Sequence, residues 1–334
     1  MTLRREWKRT LVLLALAAGF PHPPASAAVR DSTVRRYLAE DVTAAGEKSD
    51  EACLALPVSL TFDAGHIYAA DAEDCAVKVF SKNGRFEAAF GRKGRGPGEF
   101  SFPSGVSVLA GRIFVADKFN HRIQVLDASG QAIRSFGVPF TPDRVFVLAA
   151  DRILVTHIPD GRSGPEKLLH IFNGKGDLLG EDLPAKFSGD PVFDAFRNMI
   201  LVAAGPRGDF FVVFRCQERS ILHYGRAGNL LERIPVDGRY VFRALALPLR
   251  GPRKKIDGFC WECSVDRDRL YLLAPEYTEE KDLGPGDRVF VLDTAGRLEA
   301  EVGLPVRVVR MVVDGDRIYA IDRGGELRVL RIVR

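Results

Sequence analysis

The side chains able to do chemistry are few and scattered. Cys260-Trp261-Glu262-Cys263 has the spacing of a redox dithiol. That chemistry needs the first thiol at a helix N-terminus, where it is held as thiolate. Here the pair opens an alternating strand pattern, in which residues three apart face opposite ways, so no dithiol reactivity is expected. Gly91 to Gly98, with Arg92, Lys93 and Arg95, offers backbone amides to a phosphate, but no helix pattern follows, and the stretch reads as a connector. His121 and His157 are candidate metal ligands on neighbouring strand units, yet no third ligand accompanies them. No metal and no cofactor are expected. The basic run Arg250 to Lys255 reads as solvated surface.

The elements that must position these residues are repeats. Ile67-Tyr-Ala-Ala-Asp71 and Ile113-Phe-Val-Ala-Asp117 lie 46 residues apart, and the register holds without a gap through Val79/Val125, Gly84/Gly130 and Phe90-Gly91/Phe136-Gly137. Weaker copies stand at Ile153-Leu-Val-Thr, Phe210-Phe-Val-Val-Phe, Leu270-Tyr-Leu-Leu-Ala and Ile318-Tyr-Ala-Ile-Asp322, giving six in all. Period-two alternation and turn residues divide each copy into four short strands. In the second copy these are Val106 to Leu109, Arg112 to Ala116, Arg122 to Asp127 and Ala132 to Phe136. The turn before the fourth strand repeats a glycine, at Gly84, Gly130, Gly176, Gly228 and Gly296, as a hairpin needing positive φ requires. Four antiparallel strands every 40 to 50 residues is the arithmetic of a propeller blade, and no sustained helical period competes with it.

Gly91-Arg-Lys-Gly94-Arg-Gly96-Pro97-Gly98-Glu99-Phe100-Ser-Phe-Pro103, continuing into Ile113-Phe-Val-Ala-Asp117-Lys-Phe-Asn120-His121-Arg122-Ile123, resembles an NHL repeat. The first copy has Asp74-Cys75-Ala76 in place of Asn-His-Arg, and the later copies keep the strands without the motif. The resemblance implies an all-β fold, a six-bladed β-propeller of four-stranded antiparallel blades over residues 28–334 as one domain. The last copy stops one strand short. Thr33 to Val42 belongs to no other blade and alternates mildly, so it is predicted to complete the last blade as an N-terminal closing strand and to cover an otherwise free edge.

An up-and-down meander sorts the connections. First-to-second and third-to-fourth turns share one face, while second-to-third and inter-blade connections share the other. The short turns, such as Ala64-Gly65 and Ala110-Gly111, fall on the first. The long segments His157 to Lys167, Asp182 to Asn198, Pro235 to Asp257 and Pro275 to Asp287 fall on the second. Extra chain on a rigid scaffold is where binding groups gather, so the second face is the predicted working face. Its candidate binding residues are Asn120, His121, Arg122, His157, Arg197, Asn198, Arg215 and Arg243. Cys53 and Cys75 map to the same face of the first blade and are the candidate disulfide.

Residues 1–27 pair a basic start (Arg4, Arg5, Lys8, Arg9) with an apolar run from Leu11 to Phe20 and Ala25-Ser26-Ala27, the pattern of a cleaved secretory signal. The run is too short to span a bilayer, which takes about 20 residues, and no cysteine follows it to carry a lipid. The expected location is periplasmic or secreted, without membrane insertion. The leader holds most of the formal charge of +4. The body is therefore near neutral, and no nucleic-acid partner is expected.

Two functions fit. One is a non-catalytic binding or scaffold propeller, expected to be monomeric, that presents its loop-rich face around the central channel to a protein, peptide or glycan. The other is a propeller enzyme of the lyase or gluconolactonase-like type with a metal in the channel. The resemblance carries no catalytic residue over, so no catalytic residue is assigned.

Overall fold

The computed structural model describes residues 34–43, 52–159, 166–205, 207–236, 244–247, 254–277 and 283–333. The leader and Arg243 lie outside the described residues. The chain forms six four-stranded antiparallel blades, as the repeats predict. Blade 1 is Pro57–Asp63, His66–Asp71, Ala76–Ser81 and Phe86–Phe90, and blade 2 is Pro103–Leu109, Arg112–Asp117, Arg122–Leu126 and Ala132–Gly137. Blade 3 is Pro142–Ala149, Arg152–His157, Lys167–Phe172 and Leu178–Pro184, and blade 4 is Ile200–Ala204, Phe210–Phe214, Ser220–Tyr224 and Leu230–Pro235. Blade 5 is Glu262–Asp266, Arg269–Tyr277, Leu283–Asp293 and Leu298–Gly303. Blade 6 is Val308–Asp314, Arg317–Asp322 and Leu327–Val333, with Arg35–Asp41 as its fourth strand.

The second strand of every blade is largely buried. Ile67, Ile113, Ile153, Phe210, Leu270 and Ile318 are each fully buried and occupy the same position. The repeated apolar tetrapeptide is therefore what each blade presses against its neighbours, at about 25 cal/mol per Å² of apolar area removed from water. The turn glycines have two reasons to be glycine. Gly130, Gly176, Gly228 and Gly296 have φ between +79° and +95°. A Cβ on any of them would also stand 2.1 to 2.5 Å from a side chain of the preceding blade: Phe90, Phe136, Ile171 or Ile234 respectively.

The closing strand behaves as predicted and does one thing more. Leu38 to Asp41 pair antiparallel with Leu330 to Val333, completing blade 6, while Arg35 to Leu38 pair in parallel with Ala300 to Gly303, the outer strand of blade 5. One short strand thus joins two blades into an eight-stranded sheet.

The sorting of connections holds, but several are more structured than simple loops: Ala244–Leu247 pairs with Lys254–Asp257 as a hairpin, and Pro275 to Tyr277 pair with Leu283 to Pro285. The first turn of blade 4, Gly205 to Asp209, is longer than its counterparts. The connection from blade 3 to blade 4 contains a two-turn helix, Pro191–Arg197, too short for a periodic pattern to reveal. Its start is fixed by Asp190, which accepts the Phe193 amide at 3.1 Å, and by Asp194, which accepts the Ser188 and Gly189 amides.

Candidate functional site

The six first strands ring a central channel of about 540 Å³. Cross-strand register defines one layer toward the working-face end of the channel: Ser59, Gly105, Arg144, Leu201, Glu262 and Arg310, one from each blade, each opposite the fourth residue of the repeated tetrapeptide. Blades 3 and 6 are opposite in a six-membered ring, so Arg144 and Arg310 approach the channel from opposite sides. Arg215, at the end of the second strand of blade 4, lines the same space. Its guanidinium stacks 4.4 Å from the Trp261 ring centroid, and no carboxylate among the described residues pairs with it.

The electrostatics follow from this crowding. Arg310 donates from Nε to the Val58 carbonyl and from Nη1 to the Val309 carbonyl, both at 2.7 Å. Glu262 is 3.7 Å away. Burial, and then the charge of Arg144, push the Arg310 guanidinium down to about 10, against the pull of Glu262. It remains charged at neutral pH. Asp143, the residue before Arg144, stands 4.0 Å from that arginine and 3.6 Å from Lys118, which lies outside the layer. Three guanidiniums therefore share the mouth with Glu262 and a divided Asp143, which leaves a positive excess.

The opposite end has the reverse sign. Asp63, Asp266 and Asp314 are the last residues of the first strands in blades 1, 5 and 6, three consecutive blades of the ring, and all three line the channel. Burial raises the Asp63 carboxyl above its ordinary value, while nearby His66 lowers it. Asp266 accepts the Gly315 amide at 3.3 Å. Arg267 is the one basic residue that lines this end among the described residues.

Most residues expected to bind are engaged by the fold instead. Asn120 donates to the Gly94 carbonyl and to Asp117, and Arg122 donates to Asp117 and to the Gly96 and Glu99 carbonyls. Together they clamp the connector from blade 1, which is why the NHL motif carries them. His121 takes a left-handed conformation at φ +50° and bonds the Phe140 carbonyl. His157 lines the channel, but both its ring nitrogens are engaged, by the Lys167 carbonyl and by Glu166. Asn198 is buried and fastens the helix connection through Lys186 and Asp194. Arg197 lies over the Phe193 ring. Of the expected set, Arg215 alone reaches the channel with a guanidinium free of any ion pair among the described residues.

The cysteines are free thiols. The expected pairing of Cys53 with Cys75 is not formed: Cys53 is exposed, whereas Cys75, at φ +54°, turns its thiol inward to the Ala72 carbonyl at 3.7 Å. Cys260 and Cys263 are buried, and burial raises both thiols well above the ordinary range, consistent with an inert pair.

Residues 47–187 match a family described as a 6-bladed beta-propeller. Two curated relatives carry NHL-type similarity. RING finger protein nhl-1 of Caenorhabditis elegans is 44% identical over 55 residues, 16% of this chain, and Protein brain tumor of Drosophila melanogaster is 33% identical over 118 residues, 34% of this chain. The chain spans 6% and 11% of the length of these relatives. Among solved structures, a member of a Bacteroides vulgatus family superposes with a TM-score of 0.61 at 11% identity, covering 90% of this chain and 97% of that one. A candidate exported protein of Bacteroides fragilis gives 0.57 at 12%, covering 90% and 99%. Hydrazine synthase of Kuenenia stuttgartiensis gives 0.52 at 12%, covering 87% and 99%. At these identities the structural likeness speaks for the fold. The chain is a six-bladed β-propeller, part of which is similar to NHL-repeat proteins.

Proposed function

We propose that this protein is an exported, non-catalytic binding propeller that holds a protein, peptide or glycan partner on its loop-rich face, over the mouth of the channel. The observation that carries this reading is the convergence of Arg144, Arg215 and Arg310 at that mouth. Guanidiniums projecting into a channel recognise anionic or hydrogen-bond-accepting groups by their fixed donor forks. The same charges weigh against the enzyme alternative, because a metal ion centred in this layer would sit among three cations. Export is supported by the basic-then-apolar leader pattern.

The test uses the purified mature protein screened against peptide and glycan libraries by thermal shift. Hits are then measured on Met199→Cys, on the working face of the channel, and Gly111→Cys, in a turn of the other face, each in a Cys53→Ser background that removes the exposed native thiol and each carrying a bulky thiol label. Binding blocked by the Met199 label alone supports the reading. Stoichiometric calcium, zinc or magnesium, removed by a chelator with loss of thermal stability, would favour the enzyme.

A further inference from the structure

The channel is charged oppositely at its two ends, and the separation of those ends is fixed by the strands. Arg310 and Asp314 begin and end the same stretch of the first strand of blade 6. Four residue steps at about 3.3 Å each put roughly 13 Å between the two layers. No charged side chain among the described residues lines the wall between them, where Val106, Val108, Val147, Met311 and Val312 stand with Thr61, Ser107 and Ser264. Some inner-edge amides of the first strands are already taken by serines of the preceding blade: Ser59 accepts from Val106, Ser107 from Val147 and Ser264 from Val313. The wall is therefore held in place by the ring itself and does not need a ligand to form it.

A ligand matched to this space carries an anion at one end, a cation at the other and little charge between. The planar forks of Arg144, Arg215 and Arg310 fit a carboxylate, and the three aspartates fit an ammonium. An extended peptide of about four residues spans roughly 13 Å at 3.3 to 3.6 Å per residue. Its charged termini are a carboxylate and an ammonium, and the channel volume lies within the range of about 300 to 1,000 Å³ usual for small-ligand sites. We propose that the channel binds short linear peptides as zwitterions, with the C-terminal carboxylate between Arg144 and Arg310 and the N-terminal ammonium toward Asp63, Asp266 and Asp314. This rests on the working-face reading above and gives that face its ligand class.

The experiment is calorimetric titration of the mature protein with tetra-alanine, its C-terminal amide, its N-acetylated form and a neutral-ended control blocked at both termini. Tetra-alanine is expected to bind at least tenfold more tightly than either singly blocked peptide, and the doubly blocked one more weakly still. Arg144→Gln, which removes no hydrogen bond of the ring, is expected to weaken tetra-alanine tenfold or more while leaving the C-terminal amide unchanged. Asp314→Asn is expected to weaken the free peptide and leave the N-acetylated one unchanged. Equal binding of free and blocked peptides, no binding of tetra-alanine, or tight binding of a trimer of glucuronate in its place would each overturn the peptide assignment. A library hit that is blocked by the Met199 label but indifferent to Arg144→Gln would retain a working face and overturn only the channel ligand. Hits blocked from the other face would sink the working face as well.

Discussion

The Arg310 guanidinium donates from Nε to the Val58 carbonyl at 2.7 Å, so a side chain of the last blade is fastened to the backbone of the first. The outer rim is closed by the strand Arg35–Asp41 and the inner rim by this bond. Arg310 is thereby both a latch and a charge at the channel mouth. Arg310→Ala is expected to lower stability by about 2 kcal/mol, the scale of a hydrogen bond to a charged group. Urea denaturation against the parent protein measures it. Arg144→Gln, which breaks no such latch and relieves repulsion on Arg310, is expected to be neutral or slightly stabilising in the same assay.

Arg122 shows why the NHL motif was readable as fold and misleading as a site. Asp117 is fully buried, and its carboxylate is paired with Arg122 at 2.8 Å. Removing one partner of a buried pair leaves an uncompensated charge, at a cost of about 3 to 5 kcal/mol. Arg122→Ala is expected to fall in that range by chemical denaturation. It is expected to leave the affinity of any channel ligand unchanged, because the side chain faces the connector at Gly96 and Glu99.

The fold was legible because its cause is local and repeated: an apolar tetrapeptide, a glycine turn and a fixed interval recur often enough to define blades. The channel was not, because its residues are set by register and not by motif. Arg310, Glu262, Ser59 and Gly105 each stand about eight residues ahead of the tetrapeptide start, whereas Arg144 is displaced by a bulge between Val147 and Ala149 and Leu201 by the longer turn of blade 4. Aligning the inner strands on the tetrapeptide would have brought Arg310 and Glu262 forward. Asn198 and His157 are legible as polar residues of the connections, whereas the engagement of their polar atoms by Lys186 and Glu166 depends on chain segments that no motif marks.

The turn glycines separate two effects that coincide at most of them. At Gly111 φ is +72° and a Cβ would meet nothing within 4 Å, whereas at Gly130 φ is +84° and a Cβ would stand 2.2 Å from Phe90. Gly111→Ala is expected to cost about 1 kcal/mol, the backbone term alone. Gly130→Ala is expected to cost distinctly more, by adding a clash between blades to the same strain. Thermal unfolding of the two variants side by side reads the difference, and Gly130→Ala combined with Phe90→Ala is expected to cost less than the sum of the single losses.

Acid sensitivity is expected from His170. The ring is buried against Phe140, with centroids 4.1 Å apart, and burial lowers its pKa below 6.5, with the charge of His157 acting in the same direction and the Lys167 carbonyl and Glu181 opposing it. The unfolded chain therefore takes up a proton near pH 6.5 that the folded protein still refuses. Stability is fully present above pH 6.5 and declines as the pH falls from there to the lowered folded value, with a slope of at most about 1.4 kcal/mol per pH unit from this one group. His170→Gln is expected to flatten that part of a stability profile measured by urea titration between pH 7.5 and 5.

The closing strand gives the sharpest test of the ring. Ala39 is buried in the core shared by blades 5 and 6, with Val302, Val308 and Ile332 among its cluster, while Leu38 beside it is largely exposed. Alternate residues of one strand thus face the core and solvent, as the pleat requires. Ala39→Asp puts a charge where no partner is available, and the expected result is release of the strand from both the Leu330 to Val333 edge and the Ala300 to Gly303 edge. Two strand edges freed together favour pairing between molecules. The variant is expected to show concentration-dependent oligomers in size-exclusion chromatography and a lowered Tm, and Leu38→Asp, one residue away on the solvent side, is expected to show neither.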